Sequence, residues 1–237
     1  MHRVMDSAMA DWLRQWSAWL RSTPFSTWAC NYRNNHNAAC RASWLAVAAW
    51  LGDKTLANEL IAGAKERQWT NTTNSSLPYQ QLGAPDCPGC DGACTGSCGQ
   101  APIGGQIWRD GELPDEAGRV NSVGYTVAEL GNLFTLGQLS RHPMLAPVDD
   151  LFSYVSANGS SIRAALDHLV PYALGQKSWT RHTETTRFEI FPQLRHAAAV
   201  FGNRSYTQWA ERIAATGCAS RSGGCEGDAS VLWWPED

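Results

Sequence analysis

The chain has 237 residues, 43% of them hydrophobic and only 17% charged, which gives enough apolar material for one substantial core and excludes wholesale disorder. A formal net charge of −3 argues against a general nucleic-acid or anionic-membrane binder, because such proteins carry a basic footprint. The longest apolar run, Trp44 to Leu51, is far short of the roughly 20 residues that cross a bilayer, so no membrane span is expected.

In chain order, "MADWLRQWSAWLRST" spaces Trp12, Leu13, Trp16, Trp19 and Leu20 by three and four, the pattern of an amphipathic helix that ends before Pro24. "AACRASWLAVAAWL", from Ala38 to Leu51, is helical by composition and closes on Gly52 as a C-cap; "TLANELIAGAKER" from Thr55 completes a helical hairpin. Residues 71–105 have the Gly, Pro, Ser and Cys content of an irregular surface insertion. A helix returns after "RDGELPDEAGRVNS", with Val127, Leu130, Leu133, Phe134 and Leu136 to Leu139 on its buried side. "SIRAALDHLVPYAL" and "IFPQLRHAAAVFG" continue the helical series, interrupted by Pro171 and Pro192. Strand signals are almost absent, so the expected architecture is all-α: antiparallel hairpins forming an incomplete α/α toroid. The expected domain covers 1–215, with 71–105 as its insertion and 216–237 as an irregular tail. Twelve tryptophans suit a packed helical core or a cleft that stacks on sugar rings, and core packing accounts for most of them.

Eight cysteines and the sequons at Asn71, Asn74, Asn158 and Asn203 point to an oxidising, secretory environment. The first residues lack the apolar segment of a signal peptide, so the expectation is a secreted protein whose natural N-terminus is missing from this sequence. "CPGCDGACTGSC" has an unusual spacing for zinc, and the neighbouring sequons favour disulfides there; Cys218 and Cys225 are spaced to close a small ring. No metal and no cofactor are called for.

Two polar islands between helices hold the candidate chemistry. "NNH" at 34–36 and "ELPDEAGRVNSVGY" at 112–125 together offer the amide of Asn35, the imidazole of His36, the guanidinium of Arg119 and the phenol of Tyr125. That inventory suits proton abstraction beside a carboxylate. An amide and a guanidinium hold and partly neutralise the carboxylate as negative charge develops, while His and Tyr act as acid and base. Each signal also has an ordinary reading: Asn34 or Asn35 as a helix N-cap, Arg119 as a surface charge, Tyr125 as a core-edge aromatic.

Beyond local pattern, "WLRQWSAWLRSTPF...NNHNAACRASWLAVAAWLGD", "GQIWRDGELPDEAGRVNSVGYTVAELGNLFTLGQL" and "DDLFSYVSANGSSIRAALDHLVPYA" resemble successive blocks of the alginate lyase domain of polysaccharide lyases. In that family an NNH motif opens one helix, and a block of the form DG-x-x-P-x-E-x-x-R followed by Tyr opens another. The resemblance implies β-elimination on a 1,4-linked polyuronate such as alginate, polymannuronate or glucuronan. Asn35 and Arg119 would bind the uronate carboxylate, and His36 and Tyr125 would move the protons, with the choice of base between them left open. The implied partner is an acidic polysaccharide; no nucleic acid or membrane is implied, and the oligomeric state is left open.

This chain departs from the family where Asn37, Ala38, Ala39 and Cys40 replace the usual Gly-Thr-Trp-Tyr, and where Gly124 stands for the frequent His before Tyr. It also lacks the family's further N-terminal helices. The alternative is therefore a non-catalytic carbohydrate-binding or degenerate toroid; a second is a lyase for another acidic glycan. A Cys30–Cys40 bridge would pin the loop that carries NNH. Arg33, Arg41 and Arg187 would extend a basic cleft, with Arg187 the weakest of the three.

Overall fold

The computed structural model describes residues 2–23, 30, 34–65, 101–146, 149–157, 159–184 and 188–218. Among them every regular element is helical: α1 (His2–Ser22), α2 (Asn35–Leu51), α3 (Lys54–Lys65), a single turn α4 (Pro114–Ala117), α5 (Ser122–Ser140), α6 (Ile162–Ala173), α7 (Phe191–Phe201) and α8 (Arg204–Cys218), with a 3₁₀ turn at Pro143–Leu145. The cysteine-rich cluster, the sequons at Asn71, Asn74 and Asn158, and the Cys218–Cys225 ring lie outside what these residues allow to be described. Asn203 is described, and its Oδ1 accepts the Ser205 N–H at 3.0 Å, capping α8.

The central pair is α2 and α5. Both bury polar as well as apolar side chains, among them Asn37 of α2 and Ser122, Thr126 and Glu129 of α5. Ala38, Ala42, Leu45, Ala48 and Ala49 of α2 share one core with Leu130, Leu133, Phe134 and Leu136 of α5. Small residues on α2 let the two backbones approach, and Leu and Phe from α5 fill the remaining space. The hairpin α2–α3 turns on Gly52, left-handed at φ 67°, whose N–H caps the Ala48 and Ala49 carbonyls. Asp53 then caps α3 by accepting the Leu56 N–H.

Four expectations change. Pro192 does not interrupt a helix: it occupies the first turn of α7, where no intrahelical N–H is needed. Pro171 lies inside α6, two residues before its end, so only the final turn bears its missing donor. Residues 101–105, expected as the end of a surface insertion, are turns packed into the core; Ile103 is fully buried and its N–H bonds the Ala64 carbonyl at 3.0 Å. The helical C-terminus also runs to Cys218, three residues into the expected tail.

The tryptophans are a fifth difference. None of the described ones is fully buried; Trp44, Trp179 and Trp209 pack at the core's edge, while Trp12 and Trp19 on α1 are 55% and 59% exposed. Trp12 stacks on Trp16 with centroids 5.9 Å apart instead of entering the core.

Behind the central pair, α5 makes close contact with the loop that follows it. A side chain at Gly137 would place its Cβ 2.6 Å from the Phe152 ring, so the ring lies directly on the helix there. Phe134 and Phe152 meet edge to face at 5.4 Å, and the buried His196 of α7 completes the group at 5.4 and 5.1 Å. Burial, reinforced by the Arg141 charge, pushes the His196 imidazole down to about 4, so it is neutral at pH 7.

Candidate active site

The NNH segment sits at the start of α2. Asn34 is the N-cap: its Oδ1 accepts the His36 N–H at 3.1 Å, the ordinary role weighed for it above. With the cap supplied by Asn34, the Asn35 side chain is released for another contact. The Cys30–Cys40 disulfide closes a loop around this helix start, with Cα atoms 5.4 Å apart.

The second segment is built from a tight turn and two helix starts. Gly111 has φ 87°, and a Cβ there would fall 2.0 Å from the Ala164 carbonyl oxygen, so the DG of the motif needs glycine both for conformation and for space. Asp110 accepts the Glu112 N–H, and its carbonyl lies 3.0 Å from His168 Nδ1, fixing the turn on α6. Pro114 opens α4, Glu116 sits in it, and Arg119 follows at its end. Asn121 caps α5 through the Gly124 N–H, which places Tyr125 in the first turn. The same Asn121 side chain lies where a residue-124 Cβ would go, at 2.6 Å, so the cap occupies the space a histidine would take there.

These segments converge. Arg119 Nη1 donates to Asn35 Oδ1 at 3.0 Å across 84 positions of sequence, and to Glu116 Oε2 at 3.2 Å. Its guanidinium carbon lies 3.3 Å from the centroid of the Tyr125 ring, a stacked cation–π contact. Asn132, further along α5, donates to the Asn35 carbonyl at 3.1 Å. Asn35, Arg119 and Tyr125 thus form one half-buried group. His36 follows Asn35 directly and is exposed to solvent. Of the other arginines proposed for the cleft, Arg41 is half-buried with Nε bonded to Asn37 Oδ1 at 2.8 Å. Burial lowers it to about 10, which leaves it charged at neutral pH. Arg33 and Arg187 lie outside the described residues.

Two carboxyls under this group escaped the sequence reading. Glu116, 1% exposed, accepts the Asn35 N–H on Oε1 at 2.5 Å. Burial pushes it up to about 7 even though the Asn35 amide and Arg119 pull it down. Glu129 is fully buried, and no normal hydrogen bond reaches either of its oxygens, although Asn132 is near enough to lower its pKa slightly. Burial first, then the Glu116 charge, raise Glu129 well above the carboxylate range, so it is held protonated. Glu116 stands in the DG-x-x-P-x-E-x-x-R pattern itself. Glu129 interrupts the apolar face three residues after buried Thr126 and four before Leu133, a position at which an acid is conspicuous.

The rim beyond Tyr125 is a loop from α6. Trp179 Nε1 donates to Ser122 Oγ at 2.7 Å, Ser122 Oγ donates to the His182 carbonyl at 2.6 Å, and Thr183 Oγ1 donates to Asn121 Oδ1 at 3.2 Å. His182 is exposed, and its Nδ1 lies 2.7 Å from the Val120 carbonyl. It brings an imidazole to this rim, for which the sequence offered no signal.

The alginate lyase family model matches residues 92–179, a stretch that includes Arg119 and Tyr125 but not Asn35 or His36. A crystal structure of an alginate lyase from Bacteroides ovatus superposes over 88% of this chain with a TM-score of 0.66 and 22% identity. The chain covers 46% of that protein's length. A comparison with curated proteins finds no match. The chain therefore has the all-α toroid fold of a solved alginate lyase, and its residues 92–179 carry the alginate lyase family pattern.

Proposed function

We propose that the protein is a polysaccharide lyase that cleaves a 1,4-linked polyuronate, of the alginate, polymannuronate or glucuronan type, by β-elimination. The observation that carries this reading is the position of Arg119, bonded to Asn35 and stacked on Tyr125, so that the groups needed to hold a carboxylate and to move a proton share one half-buried surface. Both Arg119 bonds use Nη1, which leaves Nε and Nη2 to meet a uronate carboxylate together with the Asn35 amide. Neutralising that carboxylate acidifies the adjacent C5 proton. A base, His36 or Tyr125, takes that proton; C4=C5 forms as the C4–O4 bond breaks, and the pair on O4 is protonated by Tyr125. The product carries an unsaturated uronate at its new non-reducing end.

The secretory setting is part of the same proposal and draws on the Cys30–Cys40 disulfide. No helix among the described residues is long and apolar enough to cross a membrane. One domain over 1–215 is the arrangement we favour. The test is to incubate the protein with polymannuronate, polyguluronate and glucuronan while following the ultraviolet absorbance of the unsaturated product. Turnover that His36→Ala and Tyr125→Phe abolish is the expected result. A protein that binds these polymers without forming the chromophore would instead be the non-catalytic carbohydrate binder, a reading the 46% coverage of the solved lyase keeps in play.

A further inference from the structure

Glu116 reaches both segments of the candidate site from beneath. One carboxyl oxygen accepts the backbone N–H of Asn35 and the other accepts from Arg119, while the side chain is 2% exposed. We propose that Glu116 is a positioning residue, whose carboxylate fixes the start of α2 and the plane of the Arg119 guanidinium in the arrangement that receives the substrate carboxylate. The assignment deepens the lyase reading and rests on it.

The geometry argues for this role over simple space filling. Arg119 Nη1 is shared between Asn35 Oδ1 and Glu116 Oε2, and two acceptors on one nitrogen fix the guanidinium far better than one. The fixed plane lies on the Tyr125 ring, so a shift of Glu116 is transmitted to the phenol as well. The charged groups around Glu116 are Arg119, Asp115 on its own helix turn and Glu129 on α5; α2 presents the Asn35 amide. Glu129 is held protonated and places no second negative charge beneath Arg119. In the ionised form Glu116 accepts both bonds. Once protonated it keeps one full acceptor, and the clamp loosens on one side. Burial has raised its titration to about 7, so both forms of the clamp exist near neutral pH.

The experiment has two arms. In the first, kcat and KM of wild type, Glu116→Gln and Glu116→Asp are followed against pH on the best polyuronate. Glu116→Gln is expected to lose roughly a hundredfold in kcat, the penalty of a misplacement of about 1 Å, with a smaller change in KM. It should also lose the fall in rate on the acid side of about pH 7 that is expected of wild type. Glu116→Asp should keep that acid limb and recover part of kcat. A Glu116→Gln protein with wild-type kcat and an unchanged acid limb overturns the assignment.

In the second arm, needing no substrate, the Asn35 amide and Arg119 guanidinium resonances of ¹⁵N-labelled wild type are expected to titrate together with a midpoint near 7. They should stop doing so in Glu116→Gln; separate midpoints, or titration that persists in the variant, overturn the assignment. A wild-type chain that cleaves no polyuronate sinks the lyase reading, and the resonance arm then decides for Glu116 alone. If Glu116→Gln fails to fold, the wild-type titration and Glu116→Asp decide.

Discussion

The two ends of α5 are built on different principles. Its N-terminal turn is held by hydrogen bonds: Asn121 caps it, Ser122 joins it to Trp179 and the His182 carbonyl, and Tyr125 lies under Arg119. Its rear half is held by contact, with Leu130, Leu133 and Leu136 fully buried and Phe152 resting on Gly137. The helix therefore divides its labour along its length. Changes at the front should be read in turnover and changes at the rear in stability, because directional bonds set the geometry of a site while close packing sets the energy of the fold.

The sharpest test of that division is Tyr125→Phe. Loss of general acid–base catalysis should cost about 10²–10⁴ in kcat, equivalent to roughly 3–5 kcal/mol of barrier, with the thermal midpoint unmoved. Unchanged turnover would place the acid elsewhere and break the comparison at its front end.

Next come two buried titrations of opposite sign, one from each region. Glu116 has its folded value raised from 4.5 to about 7, so its stabilising contribution is full below pH 4.5 and is lost as pH rises through 7. His196 is lowered from 6.5 to about 4, so its contribution is present above pH 6.5 and is lost as pH falls through 4. Each amounts to on the order of 3 kcal/mol at most, and between 4.5 and 6.5 they offset one another. Glu129, raised as well, adds to the Glu116 direction. Urea unfolding of wild type should thus lose stability gently as pH rises across this range, whereas His196→Phe should lose it more steeply. A variant curve parallel to wild type would refute the opposed pair.

At the rear, Gly137→Val forces a side chain into the Phe152 ring and should cost about 1–3 kcal/mol in chemical denaturation, leaving kcat per folded molecule intact. A smaller effect is expected at the front: Asn34→Ala removes the α2 cap and should cost about 1 kcal/mol, with some loss of turnover because the same turn carries Asn35 and His36.

What the sequence disclosed divides along similar lines. Helices with a periodic apolar face, such as α5 and α6, were legible because burial repeats with the helical turn. So was Gly52, whose place after an apolar run has few other meanings. The direct contact of Asn35 with Arg119 follows from no local pattern; family resemblance alone brought the two segments together. The burial of Glu116 and Glu129 was missed because a carboxylate reads as solvated until tertiary contacts show what covers it. The tryptophans of α1 were misjudged for the converse reason. Their three-and-four spacing is a property of the helix, but whether a partner covers the face is not, and Trp12 and Trp19 are left largely exposed. Pro192 was read as an interruption because composition does not say on which side of a helix boundary a proline falls.

The covalent ring from Cys30 to Cys40 has a practical corollary. It encloses Asn34, Asn35 and His36, so the sharpness of this corner depends on the oxidation history of a given preparation and not only on its amino acids. Protein expressed in a reducing host is expected to display the right helices by circular dichroism yet with this corner unfastened, and an intact-mass measurement would reveal it as two added hydrogens for each bridge left open.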